Sequence, residues 1–132
     1  MTAREVVTAY LAALGLAVRA LVQSTDGVER AGATMPMTAV IPGGKRVRVV
    51  EVHGLGTLRI HGRGCVAEFE SGEDVDFDWD ADGHPVFDAW RLRSFSRSIG
   101  LEMSAQELMN EARSMARSGI LKEIPGGWFR VV

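Results

Sequence analysis

Apolar residues recur along this chain with two rhythms, and each rhythm predicts a kind of element. Over residues 3 to 23, Val6, Val7, Tyr10, Leu11, Leu14, Val18, Leu21 and Val22 return at three- and four-residue spacing. That spacing is the stripe of an amphipathic helix. Thr2 with Glu5 three residues on forms a capping box. Gly15 falls inside the helix at a cost of up to ~1 kcal/mol against Ala. Residues 24 to 36 lose the pattern and read as a loop.

The rhythm then shortens to two. Residues 37–41 and 46–52 are rich in β-branched side chains and read as strands on either side of Pro42-Gly43-Gly44. Val52-His53-Gly54-Leu55-Gly56 is echoed by Ile60-His61-Gly62-Arg63-Gly64, and the glycines read as a turn and a bulge. Residues 65–70 and 74–80 form a hairpin across Ser71-Gly72-Glu73. In its second arm Val75, Phe77 and Trp79 alternate with Asp74, Asp76, Asp78 and Asp80, giving one dry face and one acidic face.

After the turn signal Asp82-Gly83-His84-Pro85 the helical rhythm returns. Asp88 caps a helix that carries Leu92, Phe95 and Ile99 on one face, with Phe87 and Leu92 as a hydrophobic staple and Gly100 as its stop. Ser104 and Glu107 open a second helix, with Leu108, Ala112, Met115 and Ala116 as its stripe. Residues 120–124 and 128–132 flank Pro125-Gly126-Gly127 and read as a closing hairpin. The expected fold is α+β, one domain over residues 1–132. It has an N-terminal helix, an antiparallel sheet of about four to five strands, two C-terminal helices and a terminal hairpin.

A chain of 132 residues buries roughly two-thirds of its unfolded surface, enough for a core without staples. No uninterrupted apolar run reaches about 18 residues, and the N-terminus with Glu5 is a poor signal peptide. The expectation is a cytoplasmic protein with no membrane partner. The single cysteine, Cys65, excludes an internal disulfide and a cysteine-based zinc site. Net charge is −2, unevenly spread: residues 1–88 hold 8 Lys/Arg against 13 Asp/Glu, and residues 89–132 hold 7 against 4. The acidic excess is concentrated in residues 68–88.

Several patterns invite a chemical reading. Asp78, Asp80, Asp82 and Gly83 spell the opening of a calcium loop, but Ala89 stands where a bidentate Glu is needed, so no metal or cofactor is expected. His61, Cys65 and the Asp cluster would serve a small hydrolase or metal-dependent enzyme. Against this, Cys65 begins an alternating strand, where a small buried side chain is the ordinary role. The C-terminal helices and hairpin have the order of a winged helix. The second helix mixes Glu107 and Glu111 with Arg113 and Arg117, however, so nucleic acid is a poor fit.

His61-Gly62-Arg63-Gly64-Cys65, Val75-Asp76-Phe77-Asp78 and Phe87-Asp88-Ala89-Trp90-Arg91-Leu92 together resemble a family of small uncharacterised bacterial proteins with H-G-x-G-C, V-D-F-D-F and F-D-x-W-R-L motifs. The resemblance covers about residues 57 to 132; Trp79 replaces the usual Phe and Val86 the usual Gly. Members resemble immunity proteins of polymorphic toxins, which implies a non-enzymatic module that binds a cognate toxin. The motif residues admit a structural role: Arg91 pairing with Asp76, Asp78 or Asp88, with His61 in the same polar network. Asp74, Asp80 and Asp82 lie outside that network and are the expected contacts for a basic partner surface.

Overall fold

The structure, a computed structural model, describes the backbone of residues 1–31, 37–40 and 46–132 and the side chains of residues 1–22 and 48–132. The N-terminal stripe forms α1 (Ala3–Ala31). Its capping box is made in both directions: the Glu5 N–H donates to Thr2 Oγ1 at 3.1 Å, and the Thr2 N–H donates to Glu5 Oε1 at 3.2 Å. The helix runs past residue 23 through Asp26-Gly27, a stretch expected to be loop. One interior glycine costs only ~1 kcal/mol, which helix formers such as Glu29, Arg30 and Ala31 offset. The rest of that expected loop, residues 32–36, lies outside the described residues. By length and composition Ala3–Val22 is apolar enough to cross a bilayer, with a mean hydropathy of 1.7. A core helix passes the same test, and here Val6, Val7, Tyr10 and Ala17 are fully buried in the protein.

The strands are β1 (Met37–Val40), β2 (Arg46–Val52), β3 (Gly56–His61), β4 (Gly64–Phe69), β5 (Asp74–Trp79), β6 (Pro85–Asp88), β7 (Leu121–Ile124) and β8 (Trp128–Val131). They form an antiparallel sheet in the order β1-β2-β3-β4-β5-β6-β8-β7. This is more than the expected four to five strands, for three reasons. The two glycine echoes both close hairpins, so β3 lies between them where a bulge was expected. Pro85–Asp88, expected as part of a turn, is a short strand that starts at proline, where no donor is required. The terminal hairpin is also no separate unit: Phe87↔Phe129 and Asp88↔Trp128 join it to β6.

Gly56 shows why the first echo ends in glycine. Its φ is +150°, and a Cβ there would overlap the Glu68 carbonyl oxygen. The dry face of the sheet presents Leu58, Ala67, Val75, Phe77, Phe87 and Phe129, all buried. Against it pack α1, α2 (Ala89–Ser98) and α3 (Ala105–Arg117), in one hydrophobic cluster. Ser104 caps α3, accepting from the Glu107 N–H at 3.1 Å.

β5 pairs with β6 only at Asp78↔Val86 and Trp79↔Pro85. Below that point its edge backbone groups need other partners. Two side chains supply them: Ser98 Oγ accepts from the Asp74 N–H at 3.0 Å, and the Tyr10 hydroxyl donates to the Asp76 carbonyl at 2.6 Å. Helices thus close the edge that β6 leaves open, and this brings α2 beside the acidic residues of β5.

Candidate functional site

Cross-strand partners share a face of a sheet. The register His61↔Gly64 and Gly64↔Asp78 therefore lays His61, Gly64 and Asp78 in one row across β3, β4 and β5, on the face away from the core. The missing side chain at Gly64 matters. A Cβ there would stand 3.3 Å from Asp78 Oδ1 and 3.4 Å from a His61 ring carbon. Gly64 thus lets His61 and Asp78 lean towards each other. Among the described residues no hydrogen bond joins the His61 side chain to its neighbours; it is exposed and acts on Asp76 only through charge.

Arg91 is the centre of the cluster. Its Nη2 lies 3.0 Å from Asp78 Oδ1, and its Nη1 3.1 Å from Asp88 Oδ1. Asp76 Oδ1 is 3.9 Å from Nε, too far for a hydrogen bond, and that buried Nε has no hydrogen-bond partner. The guanidinium lies over the Trp128 ring, 4.6 Å from its centre, a cation–π contact. Asp88 does two things with one oxygen, because its Oδ1 also accepts the Arg91 N–H at 3.1 Å and so caps α2. The cap fixes the first turn of α2, and that turn aims Arg91 at β5.

The electrostatics follow from this crowding. Burial raises the Asp76 carboxyl above the usual carboxylate range; Arg91 opposes the rise and Asp78 adds to it. Burial alone would lower Arg91, but the bond to Asp88 and the charges of Asp88, Asp78 and Asp76 hold it above its ordinary value. Burial first, and then the Asp76 carboxylate, push the Tyr10 phenol well above its usual range. Asp76, Asp78, Asp88 and Arg91 thus form a half-buried knot with excess negative charge.

Cys65 does not belong to it. Its partners Ile60 and Phe77 lie on the dry face, the side of the sheet opposite His61 and Asp78. The thiol is buried and pushed up to about 12 by burial first and by Asp76 second, so it is not a thiolate at neutral pH. The structure does not bring Cys65 and His61 together as nucleophile and base.

The β5–β6 turn is a separate feature. Asp80 Oδ1 accepts the N–H groups of Asp82 and His84 at 2.9 and 2.8 Å, and these bonds, His84's first, lower its pKa. Its other oxygen lies 3.6 Å from His84 Nδ1, which also has Arg130 Nη1 at 3.3 Å. Asp80, Asp82 and His84 each offer a ligand atom within 4.8 Å of the others. Asp80 has given one oxygen to the turn, and Arg130 brings a positive charge to the same place. Asp78, the first ligand of the calcium-like motif, is bound to Arg91.

The carboxylates expected to meet a partner are therefore unequal. Asp74 and Asp82 are exposed, and neither side chain has an ion pair among the described residues. Asp80 is half-buried and holds the turn. The residue reading missed Tyr10, Trp128 and Trp90. Tyr10 and Trp128 reach the cluster through tertiary pairing that no local pattern announces. Trp90 could have been found: it is off the Leu92, Phe95 and Ile99 face of α2 and stands 64% exposed beside the cluster.

The chain belongs to a family whose model matches residues 3–130, described as a domain of unknown function, DUF6896. No curated protein matches the chain, and no solved structure does.

Proposed function

We propose that this DUF6896 member is a non-catalytic protein-binding module of the bacterial cytoplasm, an immunity protein that neutralises a cognate toxin with a basic surface. The observation that carries the reading is the division of labour among the carboxylates of one sheet face. Arg91 takes up the inner ones, Asp78 and Asp88, and the turn takes up Asp80. Asp74, at the start of β5, and Asp82, in the turn after it, remain exposed. Carboxylates without local partners speed association with a basic surface and add specificity. Trp90 supports the same reading, since tryptophan is among the side chains most enriched at positions that dominate binding energy.

Two further observations favour binding over chemistry. The only thiol is buried on the wrong face for His61. The terminal hairpin continues the main sheet rather than projecting as a wing, and α3 carries Glu107 and Glu111 beside its arginines.

The test begins with affinity capture of the partner from the native host, identified by mass spectrometry. Its association rate is then measured against ionic strength for wild type and for the triple variant Asp74→Asn, Asp80→Asn, Asp82→Asn. The amide that replaces the Asp80 carboxylate keeps an oxygen for the turn, so the fold should survive. The expected result is several-fold slower association at low salt with a flatter salt dependence. Capture of a toxin whose association ignores the triple variant would move the binding surface elsewhere. Consistent capture of nucleic acid or substrate-like small molecules would overturn the reading.

A further inference from the structure

A second surface stands apart from the acidic row. Between α1 and the turns at one end of the sheet runs a trough of about 910 Å³. Ala12 and Leu16 of α1 form one wall, and Leu55 and Leu101 lie opposite. The alanine is what makes the depression: α1 presents small side chains where a core-facing helix would present large ones. Leu16 is 49% exposed, one turn beyond Ala12 on the same helix face. Among the described residues, the only ionisable side chains lining the trough are Glu70 and Glu73. Neither forms an ion pair among those residues. An adjoining depression of about 540 Å³ shares Phe69 and Glu70 and adds Glu51 and Glu68. Glu68 is paired with Arg59; Glu51 is not paired among the described residues.

We propose that this trough is a docking site for an amphipathic helix of a partner protein, with its apolar face on Leu16, Leu55 and Leu101 and its Lys or Arg flank on Glu70 and Glu73. Charge complementarity selects the occupant. An acidic helix would meet two carboxylates without a counterion, and a purely apolar one would desolvate both, with only the Ser71 hydroxyl bonded to Glu73 in compensation, which is costly. An apolar face with a cationic border satisfies both parts of the lining, in the manner of helix-in-groove recognition. The proposal goes beyond the toxin reading, because it holds for any partner that carries such a segment.

The experiment uses the whole chain, isotope-labelled, titrated with two synthetic helices of identical leucine face. One has a lysine flank and the other a glutamate flank. The lysine helix should shift the backbone amides around Leu16, Leu55, Glu70 and Leu101, and its affinity should fall as salt rises. The glutamate helix should not bind. Leu16→Gln and the pair Glu70→Gln, Glu73→Gln change side chains outside the core, so the fold should hold by circular dichroism. Each should weaken the lysine helix several-fold, whereas Asp82→Asn, at the far end of β5, should not. Loss of toxin association in the acidic-row variant with the lysine helix still bound would separate the two surfaces. Equal binding of both helices, shifts centred on the β5–β6 turn, or binding indifferent to Leu16→Gln and to the glutamate pair would overturn the proposal. So would sedimentation showing a dimer that Leu16→Gln dissolves, since the trough would then be covered by a second copy.

Discussion

Replacing Arg91 by Met removes the charge at the centre of the β5 cluster and keeps most of its volume. One charge-assisted hydrogen bond, to Asp78, disappears, along with the ion pair to Asp88 and the stacking on Trp128. Losing one partner of a fully buried pair costs about 3–5 kcal/mol, and of an exposed pair about 0–1. The side chains here are 20–30% exposed, between those limits. Met still covers Trp128 but cannot offset the carboxylates left facing one another. The expected loss at neutral pH is therefore about 2–3 kcal/mol. For a domain of this size that lowers the thermal midpoint by roughly 6–15 °C. The pH dependence distinguishes charge from packing. In the wild type Asp76 has a raised folded pKa, so its contribution favours folding below the unfolded value of about 3.9 and is lost as pH rises through the raised folded value. Without Arg91 only the charge of His61 opposes that rise, and the Asp76 carboxyl moves further up. The penalty of Arg91→Met should thus be greatest at pH 7 and shrink as pH falls through the carboxylate range. Urea midpoints of wild type and variant from pH 7 down to pH 4 measure it. A loss under about 0.5 kcal/mol at pH 7, or one that does not change with pH, would show that the ion pairs add nothing beyond packing.

Three further substitutions and reactions check other parts of the structure. Tyr10→Phe leaves the Asp76 carbonyl without its 2.6 Å donor in a buried setting and should cost about 1–3 kcal/mol by chemical denaturation; an unchanged midpoint would mean that water replaces the hydroxyl. Ser104→Ala removes the cap of α3 and should cost ~1 kcal/mol, and Ser104→Asp should restore most of it. Cys65 should react slowly with a thiol reagent in the native protein and quickly after unfolding, because the thiol is buried and its pKa is pushed up to about 12. Rapid native labelling at pH 7 would contradict that burial.

The elements with a local cause were legible in the sequence. Thr2 with Glu5, Asp88, and Ser104 with Glu107 each announce a helix start through a side chain that meets an N–H three residues on, and these bonds are present. The alternation of residues 74–79 announces β5 and its two faces for the same reason. What escaped was tertiary in origin. β6 is four residues long and begins with proline, and only its pairing with β5 and β8 makes it a strand. β3 was hidden because glycine-bounded segments read equally as bulges and as hairpin turns. Asp80 is the local exception: its carboxylate turns back to accept N–H groups two and four residues on, an Asx-type turn that the alternation of Asp74 to Asp82 conceals. Trp128 is adjacent in sequence to a turn and adjacent in space to Arg91, a contact that depends on β8 lying beside β6.

These observations place the molecule's most constrained polar chemistry at a topological weak point. β5 loses its neighbour after two paired residues, and an open strand edge invites wrong pairing. The edge is closed by Tyr10 from α1 and Ser98 from α2, and α2 in turn is held by its Asp88 cap and by Arg91 reaching back to Asp78. Each of those residues depends on the next. If Arg91 lets go, the first turn of α2 loses its tie to β5, and the Asp74 N–H, whose partner Ser98 lies on the same helix, stands to lose it. This explains why the charged cluster sits half-buried instead of on the open surface, where it would be worth little. It also explains how one strand serves two ends. Its middle carboxylates lock the packing of sheet and helix, and in the proposed binding role that rigidity reduces the ordering cost at Asp74, which opens the same strand.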